Sequence, residues 1–361
     1  MKADYSVILP AERMKLPLDL EELSGGLPEA ELEIGFGNGE FAAARAMACP
    51  HTFLIGMEVS LSCAVRCARR VNRLRAGDPG TWSFAATSDF TTTKNFANLK
   101  IVCTDARYMM RELFADASLD RVIMNFPCPW PKKRHARRRV TSGYFADGLA
   151  AVLKAGGIFE LVTDEEWYAL EAQKILDRHP ALSAATFEVN PPRAVTTKYE
   201  RKWLEMGKNV FRLTMTKTAD FTVPRLTWGF MRSERREGGE NEEEDGTVHV
   251  KTGKPLPECG LSFLFNVSGS REDARWVFKH SYTASTPQET GVPEGTGVPQ
   301  GKGRTFLLET ISADEEFEQR YYLKVVENGG DTLVKLDGAV YLTPAVRFAI
   351  EDLKRCLTER G

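Results

Sequence analysis

Between residues 127 and 139 the chain reads Pro127-Cys128-Pro129-Trp130-Pro131-Lys132-Lys133-Arg134-His135, then Arg137, Arg138 and Arg139. Six cations and a histidine fall within eight residues, directly behind a stiff Pro-Trp-Pro turn. Lysines and arginines neutralise phosphates, and a guanidinium grips one in bidentate fashion. A solvated charge run is the bland alternative. Such a run needs no anchored backbone, whereas the prolines preset φ and Trp130 supplies an anchor. The chemistry implied is contact with a nucleic acid.

A second group of residues suits a small ligand. Glu33-Ile34-Gly35-Phe36-Gly37-Asn38-Gly39 reads as a strand turning into a helix through three glycines. Glycine permits positive φ and a close backbone approach. The spacing is GxGxG, not the GxGxxG of dinucleotide binders. Glu58 ends the next strand, about 20 residues on, where an acid binds ribose hydroxyls in this architecture. Asp105 follows the third strand, where it can accept from an adenine amino group. Ordinary turns with surface acids explain any one of these features. Together they point to an adenosine cofactor without a pyrophosphate, S-adenosylmethionine.

These groups need a scaffold. From residue 31 strand and helix patterns alternate. Strands are expected at 32–35, 53–57, 100–103, 121–125 and 157–162. Helices are expected at 40–48, from a Ser60 cap to about 75, near 108–114, from Thr141 or Ser142 to 154, and at 165–178. Residues 76–98 read as an inserted loop. Such alternation predicts an α/β fold of Rossmann-like type, a mainly parallel, doubly wound sheet with right-handed crossovers. After about residue 218 the pattern changes. The tract 232–246 is charged and reads as a linker. Strand-like runs follow at 261–267, 305–308, 321–326 and 332–336, with hairpin signals at Asn328-Gly329 and Asp337-Gly338. A closing helix is expected over 344–355. The expected division is a catalytic domain at 1–220, a linker at 221–255 and a smaller, strand-rich α+β domain at 256–361.

Composition narrows the class. No apolar run approaches a membrane span and the N-terminus lacks a signal-peptide pattern, so a cytoplasmic protein is expected. Seven cysteines without CxxC pairing make a metal site unexpected. The net charge of −2 hides an asymmetry. Residues 1–219 hold 30 Lys+Arg and 26 Asp+Glu, or +4, and residues 220–361 hold 18 and 24, or −6. The basic excess is focused at 132–139, so a modest overall pI does not exclude RNA.

The stretches ELEIGFGNGEF, FLIGMEVS, CTDA, NFPCPWPKKRHARRR, ELVTDEEWYA and TTKYERKW occur in this order across about residues 30–215. On them the chain resembles the bacterial tRNA (guanine-N7)-methyltransferases, the TrmB-like enzymes. The resemblance implies methylation at N7 of the guanosine at position 46 in the tRNA variable loop. It implies that Glu33, Gly35, Gly37, Gly39, Glu58 and Asp105 hold S-adenosylmethionine. Lys132, Asp164, Thr197, Lys198, Tyr199 and Glu200 would engage the guanosine. Lys133, Arg134, His135, Arg137, Arg138 and Arg139 would contact tRNA, the expected partner, in a monomer or a homodimer. Cys128 departs from the family, which has Asp there, at the boundary between cofactor and target base. Typical bacterial members resemble only the first part of this chain.

Guanine N7 carries an in-plane lone pair and no proton, so methyl transfer needs alignment and no general base. A carboxylate beside the ring can stabilise the positive charge the purine gains, and can accept from guanine's ring N–H and amino group. Asp164 and Glu200 are the candidates, with Asp164 and Cys128 nearest the chemistry. The bland alternatives are a helix N-cap for Asp164 and a capping box for Thr197 and Glu200. Tyr199, Trp167 and Trp203 can stack on a base or serve as plain core.

Overall fold

The computed structural model describes residues 4–77, 96–132, 139, 142–193, 195–196, 198–226, 250–251, 255–256, 260–283, 304–314, 317–328, 331–337 and 340–360. The chain divides into two compact units, Met1–Arg225 and Leu226–Gly361. Arg225 belongs to the first by its bonds. Its guanidinium donates to the carbonyls of Arg111 (2.7 Å) and Phe114 (2.9 Å) and to Asp116 (2.6 Å).

The first unit is built on β1 (Glu29–Ile34), β2 (Thr52–Glu58), β3 (Leu99–Cys103), β4 (Leu119–Asn125), β5 (Leu153–Thr163), β6 (Leu182–Val189) and β7 (Phe211–Lys217). Their order in the sheet is β3-β2-β1-β4-β5-β7-β6. The first five run parallel, while β7 is antiparallel to both β5 and β6. The helices are α1 (Leu20–Ser24), α2 (Glu40–Ala48), α3 (Leu61–Arg75), α4 (Ala106–Leu113), α5 (Gly143–Val152), α6 (Glu166–Leu176) and α7 (Lys198–Glu205). β1 is buried at every position after its first residue, as expected of a strand covered on both faces. The strand order reverses between β1 and β4. That switch point opens a crevice at the carboxyl ends of the strands, where ligands bind in open α/β sheets.

The local signals explain most of this. Ser60 caps α3 by accepting from the Cys63 N–H, Asp105 caps α4 through the Arg107 N–H, and Ser142 caps α5 through the Phe145 N–H. Three expectations change. α5 stops at Val152 rather than at Lys154, because β5 begins at Leu153. Glu165, not Asp164, occupies the N-cap of α6, and its side chain makes no capping bond. The sequence reading also passes over β6 and β7. In β7 the alternation of buried Phe211, Leu213 and Met215 is plain strand periodicity.

The second unit is an antiparallel sheet of β8 (Val250–Lys251), β9 (Ser268–Arg271), β10 (Ala274–Thr283), β11 (Thr305–Asp314), β12 (Phe317–Asn328) and β13 (Asp331–Asp337), with α8 (Pro344–Arg360). The order is β8-β13-β12-β11-β10-β9. Its core joins Trp276, Phe278, Leu308, Leu323 and Val325 to Val346, Ile350 and Leu353 of α8. Asn328 pairs with Asp331, where a hairpin was expected. The run 261–267 is not a strand. Leu261 and Leu264 are buried three residues apart, the spacing of the 3-10 turn at Ser262–Leu264. The Asp337-Gly338 signal starts no hairpin, since the next described element after β13 is α8. β9 and β10 went unread. No helix of the described residues is long and apolar enough to cross a membrane.

Candidate active site at the β1–β4 switch point

The three glycines after β1 all adopt positive φ, 73° at Gly35, 55° at Gly37 and 74° at Gly39. At Gly39 a second constraint applies. A Cβ there would lie 2.2 Å from the Cys67 sulfur, so only glycine lets α2 and α3 approach. At Gly35 and Gly37 a Cβ would meet nothing within 4 Å. Their backbone faces open space, as a ligand cradle requires.

Glu58, at the end of β2, fastens this turn. Its Oε2 accepts from the Gly37 N–H and its Oε1 from the Ser60 N–H, both at 3.0 Å. Each carboxylate oxygen has a further lone pair, enough to accept a ribose hydroxyl as well. Asp105, after β3, is gripped by Arg107, with an Nη2–Oδ2 separation of 2.5 Å. Both acids sit at the edge where the sequence places them.

Glu33 is the unusual group. It lies inside β1, 2% exposed. Its Oε1 accepts from Asn125 Nδ2 at 3.2 Å, while its buried Oε2 has no hydrogen-bond partner among the described residues. Burial pushes its pKa up to about 8, and the Glu58 charge adds to the rise. The Asn125 hydrogen bond and the charge of Arg193 oppose it. An orphaned buried carboxylate oxygen costs free energy unless something donates to it. It suits the amino group or hydroxyls of a bound S-adenosylmethionine.

From Glu33 a buried chain of polar groups runs outward. Asn125 Oδ1 accepts from Arg193 Nη2 at 2.6 Å, and Arg193 Nη1 donates to Glu200 Oε2 at 2.7 Å. The Arg193 and Glu200 side chains are 4% and 3% exposed. Arg201 adds a second tie, from its Nη1 to the Thr196 carbonyl at 2.7 Å and from its Nη2 to Glu40 Oε1 at 3.0 Å. Glu40 opens α2, immediately after the glycine turn. The segment before α7 is thus tied to the switch-point crevice at two points. The sequence reading named Glu200 but missed Asn125, Arg193, Arg201 and Glu40. Asn125 was within reach of it, as the residue that closes β4 ahead of the proline loop. Arg193 had no local pattern to mark it.

A cleft of about 150 Å3 beside this chain is lined by Arg45, Arg121, Arg193, Arg212 and Glu160. The arginines are paired with Glu31, Glu160, Glu200 and Glu188. The charges offset one another, so the cleft is not an anion site by charge.

Among the described residues of the loop after β4, Phe126 and Trp130 adopt positive φ, 47° and 44°. Backbone strain of this kind persists only where the surroundings hold it. Arg139 supplies part of the hold. Its Nε and Nη2 donate to the Trp130 carbonyl at 3.3 and 3.2 Å, its Nη1 meets Glu171 at 2.6 Å, and its guanidinium lies 5.1 Å from the Trp167 ring centre. Arg139 therefore closes the loop on α6, with its side chain 11% exposed. Cys128 is an exposed free thiol, and Lys132 is exposed. Lys133, Arg134, His135, Arg137, Arg138 and Thr197 lie outside the described residues. Lys198 and Tyr199 begin α7. Asp164 stands between β5 and α6, with Oδ2 3.6 Å from Lys208 Nζ. Lys208 Nζ in turn lies 3.9 Å from the Trp203 ring centre.

The chain is similar to several known proteins. The family described as "Putative methyltransferase" matches residues 29–213. A tRNA (guanine-N7)-methyltransferase of Thermotoga maritima is 33% identical over 355 residues, covering 98% of this chain and 96% of that protein. The Thermus thermophilus enzyme of the same name is 32% identical over 220 residues, covering 60% of this chain and 63% of that protein. A crystal structure of the antibiotic-resistance methyltransferase Kmr matches 56% of this chain and 92% of its own at 17% identity, with a TM-score of 0.40. The Thermotoga alignment runs through the second unit, so likeness to known relatives is not confined to the first part of the chain.

Proposed function

Because the chain belongs to the bacterial tRNA (guanine-N7)-methyltransferase family, we propose that it methylates N7 of the guanosine at position 46 of tRNA. S-adenosylmethionine, when bound, supplies an electrophilic methyl group on a sulfonium. The observation that carries the reading is the meeting of three strand ends at the switch point. There the glycine turn, Glu58 and the orphaned Glu33 oxygen share one crevice with the Asn125–Arg193–Glu200 chain.

Glu33, Glu58, Asp105 and the Gly35–Gly39 backbone hold the donor. No residue need take a proton from N7, because its lone pair is already available. The task of the protein is alignment, and the buried Arg193 chain suits it by fixing the substrate segment against the cofactor crevice. Glu200 is spent on Arg193. Asp164 is the more accessible of the two candidate carboxylates, its side chain 18% exposed. It accepts from the guanine edge and offsets the positive charge that the purine gains. Lys132, Lys198 and Tyr199, with Thr197, complete the guanosine site. The cations at 133–138 engage tRNA phosphates. Cys128 stands where the family resemblance implies an Asp. We expect Cys128→Asp to speed methyl transfer and Cys128→Ser to leave it near the parent rate. The six described cysteines are free thiols, in keeping with a cytoplasmic enzyme.

The test uses two transcripts of one tRNA, with G or A at position 46. Labelled methyl should reach the first and not the second. Equal labelling of both would remove the position from the proposal, and labelling of neither would remove the activity.

A further inference from the structure

We infer that the second unit carries a stacking track for unpaired RNA, on the sheet surface that α8 leaves uncovered. Tyr321 and Leu323 of β12 are buried in the core with α8, so Tyr322 between them points to the opposite side. Tyr282 of β10 lies 6.3 Å from it, ring centre to ring centre, at an edge-to-face angle. His280 follows at 6.4 Å from Tyr282, and Phe265 at 5.2 Å from His280. Four rings thus form one file.

The file is exposed. Phe265 is 55%, Tyr282 48% and Tyr322 37% accessible. Among the described residues of the second unit these are the only large hydrophobic side chains left exposed. A continuous row of such rings marks a binding surface, whereas scattered single ones do not. Tyr282 and Tyr322 meet edge-to-face and the other two contacts are tilted, so the rings brace one another and little ordering is needed when a flat ligand docks.

Charge bears on the occupant: Tyr322 has the acids Glu309 and Asp337 as direct register partners, Glu309 is paired with Arg320, and a cationic pair lies two residues further along β12. Lys324 and Lys335 are direct register partners on β12 and β13, on the same side as Tyr322. Like charges placed opposite each other on a sheet repel. An arriving phosphate relieves that repulsion. Residues 220–361 carry a net −6 from 18 Lys+Arg and 24 Asp+Glu, but five of those acids sit in Glu240, Glu242, Glu243, Glu244 and Asp245. Exposed aromatic rings beside a cationic pair are the elements that bind single strands, bases on the rings and phosphates on the cations. A duplex keeps its bases stacked inside and cannot use the rings. The choice of RNA rests on the function proposed above, and the rings and lysines do not.

The experiment measures binding of a short fluorescein-labelled oligouridine to the full chain at fixed salt. It lacks guanine, so it reads the track apart from methyl transfer. Tyr282→Ala with Tyr322→Ala should weaken binding by about 10-fold or more, and the matching Phe pair should retain it. Lys324→Ala with Lys335→Ala should lower the slope of log affinity against log salt by about 1.4. Ultraviolet cross-links in the unmodified chain should map to 260–283 and 317–328, a readout that needs no variant. The inference is overturned if the Ala pair binds oligouridine like the parent, or if the cross-links fall only elsewhere. It is also overturned if sedimentation finds a dimer that the Ala pair dissolves, since the rings would then face a second copy. A parent that fails to methylate tRNA, while the Ala pair still loses oligouridine, defeats the proposed function and leaves the track standing.

Discussion

The two units use their sheets in opposite ways. In the first, β1 and β2 are buried almost throughout, so no face is left for a ligand. The chemistry we propose for it sits where strands end, in Gly35–Gly39, Glu58, Asp105 and the loop after Asn125. In the second, α8 covers one side of an antiparallel sheet, and the other side presents alternate residues of each strand. The comparison teaches that a strand-end site is assembled from short segments, each legible on its own, which the strand order gathers. A sheet-face site is made of residues such as 265, 282, 322 and 335, which only the register brings together.

The largest expected effect tests whether the two units are independent. Arg193→Ala removes the guanidinium partner of a buried carboxylate, a change that costs about 3–5 kcal/mol where both groups are buried. Denaturant unfolding should show this loss in the first unit alone, and kcat should fall more than the cofactor affinity. A parallel loss in the second unit would show that the units share stability and would break the comparison.

A middle-sized effect sharpens the strand-end half. Glu33 rises from an ordinary 4.5 to about 8 in the folded chain, first through burial. A raised carboxyl favours the folded state most below its unfolded pKa. Its contribution is lost as pH climbs from about 4.5 to about 8 and stays flat above. The slope reaches about 1.4 kcal/mol per pH unit. Stability of the first unit measured across that window should therefore fall, and Glu33→Gln should flatten its share of the fall. S-adenosylmethionine should bind more tightly as pH rises towards 8, since Glu33 must accept rather than donate. A cofactor affinity indifferent to pH, with the slope intact in Glu33→Gln, would assign the titration to another group.

The smallest effect tests the sheet-face half. Lys335→Glu turns the Lys324–Lys335 repulsion into attraction and should stabilise the second unit by about 0.2–1 kcal/mol. The same change should weaken oligouridine binding. Thermal melting and the binding assay together check this opposition. A variant that gains stability and keeps its affinity would show that the lysines do not meet phosphate.

Much of the first unit was legible in the chain itself. Ser60 and Ser142 announce their helices because a cap needs only a side chain within a few residues of the N–H it satisfies. The glycine turn is legible for the same reason, since positive φ is a local demand. The basic loop with its prolines is legible as a candidate polyanion site, and the family motifs run in the family's order along the chain. Interactions of short range leave their mark in adjacent letters.

The tertiary structure alone decided the rest. Arg193 and Glu33 are 160 residues apart in number and meet through Asn125 because the strand order reverses between β1 and β4. Arg139 looks like one more RNA-binding cation, yet Glu171 and the Trp130 carbonyl claim it. Asp164 looks like a helix cap, yet the helix starts one residue later. Tyr282 and Tyr322 look like separate strand residues until the pairing of β10, β11 and β12 sets them side by side. Each outcome depends on which distant group arrives at hydrogen-bonding or van der Waals range. That is set by packing and strand register, which no stretch of neighbouring residues encodes.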